Sequence, residues 1–287
     1  MNAENSGSVR VVPRETVCYY IAELGKVIAV TNQKGGVGKT TTAINLGASL
    51  AVSEFRVLLV DSDPQGNATS GVGITKDPAK PSLYNVLLGD AEIAEALIKT
   101  DLEGLHLVPA NKNLVGANLE LVDLDRRELR LRDKISQVKH IYDFIIIDCP
   151  PALDLLTLNA LMAADSVLIP IQCEFFALEG ISELIATIDR IRETMQHTIQ
   201  IEGILITMFD DRTNLTRQVA TDLREFFGKD VLQTVIPRSV RLAEAPSHGK
   251  PILTYDIRSR GAESYIQLAK EILDRDHTTA KSAQGLG

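Results

Sequence analysis

The sequence predicts a doubly wound α/β domain with a mostly parallel sheet, and three observations carry that expectation. Short aliphatic runs alternate along the chain with stretches of helical spacing, the order expected of β-α units. Those runs are continuously apolar, as strands covered on both faces are. Aromatic residues make up only 5% and tryptophan is absent against an apolar content of 45%, so the core is aliphatic. A chain of 287 residues can bury such a core without being divided. The domain is expected to span residues 25–276, between flexible tails at 1–24 and 277–287.

Each element follows from local pattern. Val27-Ile28-Ala29-Val30 reads as a buried parallel strand, and residues 42–52 then have helical spacing. Residues 56–60 (Arg-Val-Leu-Leu-Val) form a second strand that ends in Asp61-Ser62-Asp63-Pro64-Gln65-Gly66-Asn67. The stretch 68–100 is turn-rich around Gly71, Gly73, Pro78 and Pro81 and then helical. Residues 105–109 are a candidate strand, and 113–140 read as mostly helix with many charges. Phe144-Ile145-Ile146-Ile147 is a third clear strand and ends at Asp148-Cys149-Pro150-Pro151. A strand at 166–170 precedes a helix from about 177 to 195. Strands at 204–207 and 231–236 flank a helix at 214–227, and the last helix runs from about 262 to 275.

Composition narrows the class. Cys18, Cys149 and Cys173 have neither disulfide nor metal spacing, which points to a reducing cytoplasm. No apolar run has the length of a signal core or a membrane span. The net charge of −8 argues, on its face, against a nucleic-acid partner.

The most specific signal is Asn32-Gln33-Lys34-Gly35-Gly36-Val37-Gly38-Lys39-Thr40-Thr41, set between the first strand and the first helix. Glycines there let successive N–H groups point inward at phosphate oxygens, and the helix N-terminus adds unpaired N–H groups and partial positive charge. Lys39 is placed to reach the β- and γ-phosphates, and the Thr40 hydroxyl to ligate magnesium. The usual pattern has a glycine where this chain has Gln33, and a second lysine, Lys34, follows it. In open parallel sheets ligands sit at the carboxyl ends of the strands. Asp148 therefore suits the acid that holds magnesium through its water shell, and either Asp61 or Asp63 could position an attacking water.

With these motifs the chain resembles the ParA/Soj family of partitioning ATPases. That family is part of the deviant Walker A (SIMIBI-like) P-loop group, which includes MinD and the nitrogenase iron protein. The likeness spans roughly residues 25–275 and rests on six segments in order. These are Lys34-Gly-Gly-Val-Gly-Lys-Thr-Thr, Val60-Asp-Ser-Asp-Pro-Gln-Gly-Asn-Ala-Thr, Ile147-Asp-Cys-Pro-Pro and Ala177-Leu-Glu-Gly. Thr207-Met-Phe-Asp-Asp-Arg-Thr-Asn and Ile236-Pro-Arg-Ser-Val-Arg-Leu-Ala-Glu-Ala-Pro-Ser complete the set.

The resemblance implies a Mg-dependent ATPase that forms a homodimer with ATP, Lys34 reaching across to the partner's nucleotide. It further implies phosphate contacts from Lys39 and the Gly35, Gly36, Val37, Gly38, Thr40 and Thr41 backbone, and magnesium held directly by Thr40 and through water by Asp148. Asp63 matches the residue that orients the hydrolytic water, while Asp61 has a structural or magnesium-shell role. Met208, Pro237 and Ser239 are expected near adenine, although Ser239 stands where relatives often have Asn.

Family members bind double-stranded DNA non-specifically, which would come from a local basic surface despite the acidic whole. Between Arg238 and Arg260 five basic residues face two acids, a local +3, and Arg212, Arg238, Arg241 and Lys250 are the DNA-binding candidates. The implied partners are such DNA and a ParB/Spo0J-like protein, with no membrane, and the implied location is cytoplasmic and nucleoid-associated. The lead segment is too short for a helix-turn-helix domain, the final residues lack the apolar face of a membrane helix, and no cluster-forming cysteine set is apparent. A metabolic ATP-dependent enzyme or a MinD-like positioning ATPase on the same scaffold are the alternatives.

Overall fold

A computed structural model describes residues 25–284, with side chains through Asp276. Among the described residues eight strands form one sheet: β1 Lys26–Val30, β2 Val57–Asp61, β3 Ile98–Lys99, β4 Leu105–Val108, β5 Phe144–Asp148, β6 Ser166–Gln172, β7 Gln200–Phe209 and β8 Val231–Pro237. Their order is β3-β4-β2-β5-β1-β6-β7-β8, and every pairing is parallel except β3 with β4. The sheet thus winds outward in both directions from β1 and β5, and the doubly wound architecture read from the sequence is the observed one.

The helices are α1 Lys39–Val52, α2 Asn67–Gly71, α3 Leu83–Leu88, α4 Leu114–Glu120, α5 Arg130–Val138 and α6 Leu155–Ala163. They continue with α7 Ala177–Met195, α8 Asn214–Phe227, α9 Val240–Glu244, α10 Ile252–Tyr255 and α11 Arg260–Gln284. Alternation along β1 sends Val27 and Ala29 into one core and Ile28 and Val30 into the other. The first core packs α3 to α8, and the second packs α1, α10 and α11. Phe55 and Phe144 anchor the second, edge to face at 5.4 Å between ring centres.

Several elements differ from the sequence reading. The stretch expected to be helical up to residue 100 ends instead in β3, an antiparallel edge strand. Thr100 makes that turn tight, its Oγ1 donating to the Leu105 carbonyl at 2.8 Å. The charged 113–140 stretch is not one helix: it is α4, a 3-10 turn at Leu121–Asp123, and α5 after Arg126 turns left-handed at φ 53. Helix α1 starts earlier than expected, at Lys39, because Gly38 at φ 87 closes the loop and its carbonyl accepts the Thr42 N–H at 2.9 Å. Strand β7 is longer than its aliphatic centre, and short α9 and α10 were not anticipated. Helix α11, expected to end near 275, continues to Gln284. The expected N-terminal tail, residues 1–24, and the last three residues lie outside the described residues.

Candidate functional site

The carboxyl ends of β1, β2, β5, β7 and β8 converge on a cavity of about 530 Å³. That lies within the range of small-molecule sites, about 300–1,000 Å³. The wall combines Gly35, Gly36, Gly38, Lys39, Thr40 and Thr41 with Asp63 from the β2 end, and Met208, Pro237 and Ser239 from the far side. Residues expected at the phosphates and residues expected near adenine, read from separate sequence segments, therefore line one cavity. Val37 is buried beneath the loop.

Local bonds shape the loop. The Asn32 side chain donates to the Pro170 carbonyl at 2.9 Å and accepts the Lys34 N–H at 2.9 Å, fixing the loop's entry to β6. Thr207 Oγ1 reaches the Val37 carbonyl at 2.8 Å and the Ile171 carbonyl at 3.0 Å, pinning the loop's middle to β6 and β7. The two lysines behave differently. Lys39 is only 7% exposed, and its ammonium donates to the Lys34 carbonyl at 2.8 Å. Burial pulls its pKa down, against the attraction of Asp148. Lys34 is exposed, lies outside the cavity wall and is ion-paired with Glu174.

The sheet register places two of the acids side by side. Asp61 is the neighbour of Asp148 across β2 and β5, on strands about 4.8 Å apart. Both are fully buried. Asp61 Oδ2 accepts the Thr69 N–H at 2.7 Å and hydroxyl at 2.6 Å, and Oδ1 faces the Asp63 N–H at 3.3 Å. Burial still pushes its carboxyl up to about 6. These bonds tie Asp61 to the start of α2 through Thr69.

Asp148 is the reverse case. Among the described residues neither of its oxygens has a hydrogen-bond partner, although the Thr40 hydroxyl lies close enough to temper its pKa. Burial first, and then the Asp61 charge, push it well above the usual carboxylate range. An unpartnered, fully buried carboxylate is costly unless a cation accompanies it. With Thr40 and Lys39 alongside, these residues fit a magnesium ion, oxygen donors being what that ion prefers. Asp63 is 8% exposed on the cavity wall, and its Oδ1 holds the Gln65 N–H at 2.9 Å, which aims the carboxylate.

Across the cavity from the loop, Met208 takes a left-handed backbone (φ 48), uncommon for a residue with a side chain, where the β7–β8 register is irregular. Ser239 caps α9, its hydroxyl accepting the Leu242 N–H at 3.4 Å. Of the four DNA candidates, Arg238 lies on the cavity rim. Arg212 is 81% exposed but gripped at two points by Asp210, at 2.7 and 2.6 Å. Arg241 bridges Glu244 at 3.2 Å and Asp256 at 3.4 Å. The local excess of base is thus partly answered by carboxylates in the same chain. Lys250 is exposed at the turn before α10.

Sequence reasoning missed Thr207 and Glu174 in their specific roles. A buried threonine at a strand's carboxyl end, inside a motif already noted, was the available signal for the first. Nothing local marks the second. Gln65, Asn67, Pro151 and Tyr265 also line the cavity, and the Tyr265 hydroxyl lies 3.2 Å from that of Thr42. Burial pushes the Cys149 and Cys173 thiols up, the latter to about 11, which leaves both as inert core residues.

A family model described as AAA domain matches residues 25–201. The chromosome partitioning protein ParA of Myxococcus xanthus is 56% identical over 255 residues, 89% of this chain and 90% of that protein. The sporulation initiation inhibitor protein Soj of Bacillus subtilis is 55% identical over 249 residues, 87% of this chain and 98% of that protein. Among solved structures, a cobyrinic acid a,c-diamide synthase from Mycobacterium smegmatis with bound ADP and magnesium is 38% identical with a TM-score of 0.76. The match covers 86% of this chain and 93% of that one.

Proposed function

Because the chain belongs to the ParA/Soj family of chromosome-partitioning P-loop ATPases, we propose that it is a nucleotide-switched DNA-binding ATPase. In this reading the ATP-bound chain pairs with a second copy, holds DNA without sequence preference, and releases it after hydrolysis stimulated by a ParB/Spo0J-like partner. It acts in the cytoplasm on the nucleoid. No helix among the described residues is long and apolar enough to cross a membrane.

The observation that carries this reading is the division of labour between the two lysines. Lys39 is buried in the loop and serves its own nucleotide, while Lys34 stands exposed outside the cavity wall. An exposed cation with a releasable surface partner, Glu174, is free to exchange that partner for a phosphate on a second copy. The exchange needs the γ-phosphate charge, which couples assembly to ATP. Replacing Lys34 with Gln is expected to abolish ATP-dependent dimerisation and leave nucleotide binding within about tenfold, as read by light scattering and nucleotide titration.

Within the cavity, Lys39 and the loop N–H groups hold the phosphates. Thr40 and Asp148 hold magnesium, which when bound neutralises charge on the transferring phosphoryl group. Asp63 accepts a hydrogen bond from the attacking water and aims it. Met208 and the segment from Pro237 to Ser239 close the adenine side.

The DNA surface is assigned to Arg212, Arg238, Arg241 and Lys250. Phosphates would compete with Asp210, Glu244 and Asp256 for two of these arginines, so binding should be weak per chain and steeply salt-dependent. Replacing Arg241 with Glu is expected to leave the dimer intact and reduce DNA affinity at least tenfold by filter retention. Unchanged retention would move the DNA surface elsewhere.

Retention of non-specific duplex DNA at two salt concentrations, with ADP, ATP or no nucleotide, tests the whole reading. Binding confined to ATP and weakened by salt supports it. Equal or absent binding in all three states overturns it. That result would favour a second reading, ATP-dependent activation of a small carboxylate, to which the likeness to the synthase lends support.

A further inference from the structure

The turn after β2 holds Asp63 by two bonds. Asp63 Oδ1 accepts the Gln65 N–H at 2.9 Å, and the Asp63 main-chain carbonyl accepts the Gly66 N–H at 2.8 Å. The second bond belongs to the peptide unit that joins Gln65 to Gly66. Gly66 is left-handed there, at φ 63, and glycine reaches either sign of φ with little cost. That peptide unit is therefore where the turn gives most easily. Rotating it would take the Gly66 N–H away from Asp63.

A lysine holds the other end of the same peptide unit. Lys76, in the loop that follows α2, donates from Nζ to the Gln65 carbonyl at 2.8 Å. Its stem crosses over Gly66, where a Cβ would fall 2.5 Å from Lys76 Cδ. Gly66 thus serves twice, once for its φ and once for the room it leaves.

The loop under Lys76 is itself fixed on both sides. The Ile74 N–H donates to the Thr69 carbonyl at 3.1 Å, and the Asn111 amide to the Asp77 carbonyl at 3.4 Å. Before Ile74, Gly73 meets Gly249 backbone to backbone, and a Cβ on Gly249 would fall 2.7 Å from Gly73 Cα. Lys76 is exposed, so water competes for its ammonium and the bond adds little to stability. What the bond supplies is direction, since it fixes one end of a peptide unit whose other end holds Asp63.

We propose that Lys76 is a positioning residue for ATP hydrolysis, clamping the peptide unit between Gln65 and Gly66 so that Asp63 keeps its aim at the attacking water. This rests on the reading of Asp63 as the water-aiming acid. Lys76 is not part of the nucleotide cavity wall, so it works through the turn and not by touching ATP. Its effect falls on the rate of hydrolysis and leaves nucleotide binding alone.

The test measures steady-state hydrolysis by the full chain with ATP and magnesium. Lys76→Met keeps the stem over Gly66 and loses the donor. It is expected to lower kcat about tenfold with KM for ATP unchanged, a smaller loss than a full misplacement of the reacting groups would cause. Its Tm should stay within about 2 °C, as for other surface changes. Lys76→Arg, which still donates to a carbonyl, should restore kcat to within about twofold of the unmodified chain. Lys80→Met, at an exposed lysine of the same loop, should leave kcat within about twofold. In an Asp63→Ala chain, Lys76→Met should cause no further loss, because the two residues act as one unit.

The proposal is overturned if Lys76→Met keeps the unmodified kcat, if Lys76→Arg fails to restore it, or if Lys80→Met loses as much. A raised KM at unchanged kcat would overturn it too, by making Lys76 a nucleotide contact. So would an undiminished further loss in the Asp63→Ala chain, which would give Lys76 a role of its own. The single variants separate the two claims. Slow hydrolysis by Asp63→Ala beside unchanged hydrolysis by Lys76→Met removes only the clamp. Asp63→Ala that hydrolyses at the unmodified rate removes the water-aiming reading and the clamp with it.

Discussion

Replacing Asp63 with Ala is expected to slow ATP hydrolysis by about 10²–10⁴-fold, the usual yield of a positioned acid–base or water-orienting group, with ATP binding preserved. The geometry explains the selectivity. Asp63 reaches the cavity wall from the β2 end, and its side chain holds the Gln65 N–H and no group of the loop, so its loss removes only its electrostatic pull on Lys39. The variant should accumulate as an ATP-bound dimer on DNA that does not turn over. Single-turnover hydrolysis measured beside DNA retention checks both halves. Hydrolysis near the unmodified rate would return the water-orienting role to another group.

Asp148→Asn is expected to act with opposite signs on activity and on stability. Magnesium-supported hydrolysis should fall by about 10–100-fold, as when an outer-shell metal partner is lost. The nucleotide-free protein should become more stable at neutral pH, because the change removes a buried negative charge beside Asp61. In a domain of this size each kcal/mol moves Tm by about 2–4 °C.

The pH dependence carries the same sign. The Asp148 carboxyl is raised in the folded state, so the folded chain keeps a proton that the unfolded chain releases. Its contribution is therefore most favourable below the ordinary carboxylate range and is lost as pH rises toward the raised folded value. Asp61 behaves alike over the window from its ordinary 3.8 to about 6. Calorimetry of the nucleotide-free protein across pH should show stability falling through these windows, with the Asp148 part missing from the variant. Adding magnesium and ATP should stabilise the unmodified chain more than the variant, since only the former gains a counter-ion for its carboxylate.

Much of the site was legible because its signals are contiguous. The loop from Lys34 to Thr41 declares itself through glycine spacing beside two lysines, and Asp148 through its place at the end of an aliphatic run. The less legible parts fail for identifiable reasons. Residues 98–99 make a strand only because β4 offers an edge to pair with. The charged segment at 113–140 hides its break because a left-handed Arg126 leaves no mark of the kind glycine would. The basic count near Arg241 is read easily, but the Glu244 and Asp256 oxygens that answer that charge are placed by the packing of α9 and α10.

By itself the sequence determined the strand-and-helix alternation, the aliphatic two-sided core, the phosphate loop and the acids at strand ends, since backbone propensity and hydrophobic period are properties of neighbours along the chain. Only the tertiary structure decided which acid is satisfied and which is not. Strand order sets Asp61 beside Asp148, Thr69 then takes up Asp61, and Asp148 is left facing Thr40 and Lys39. It likewise decided that Thr207 braces the loop, that Glu174 holds Lys34, and that Lys76 reaches the Gln65 carbonyl. These outcomes depend on distances between groups far apart in sequence, and such distances exist only once the sheet has closed in its particular order.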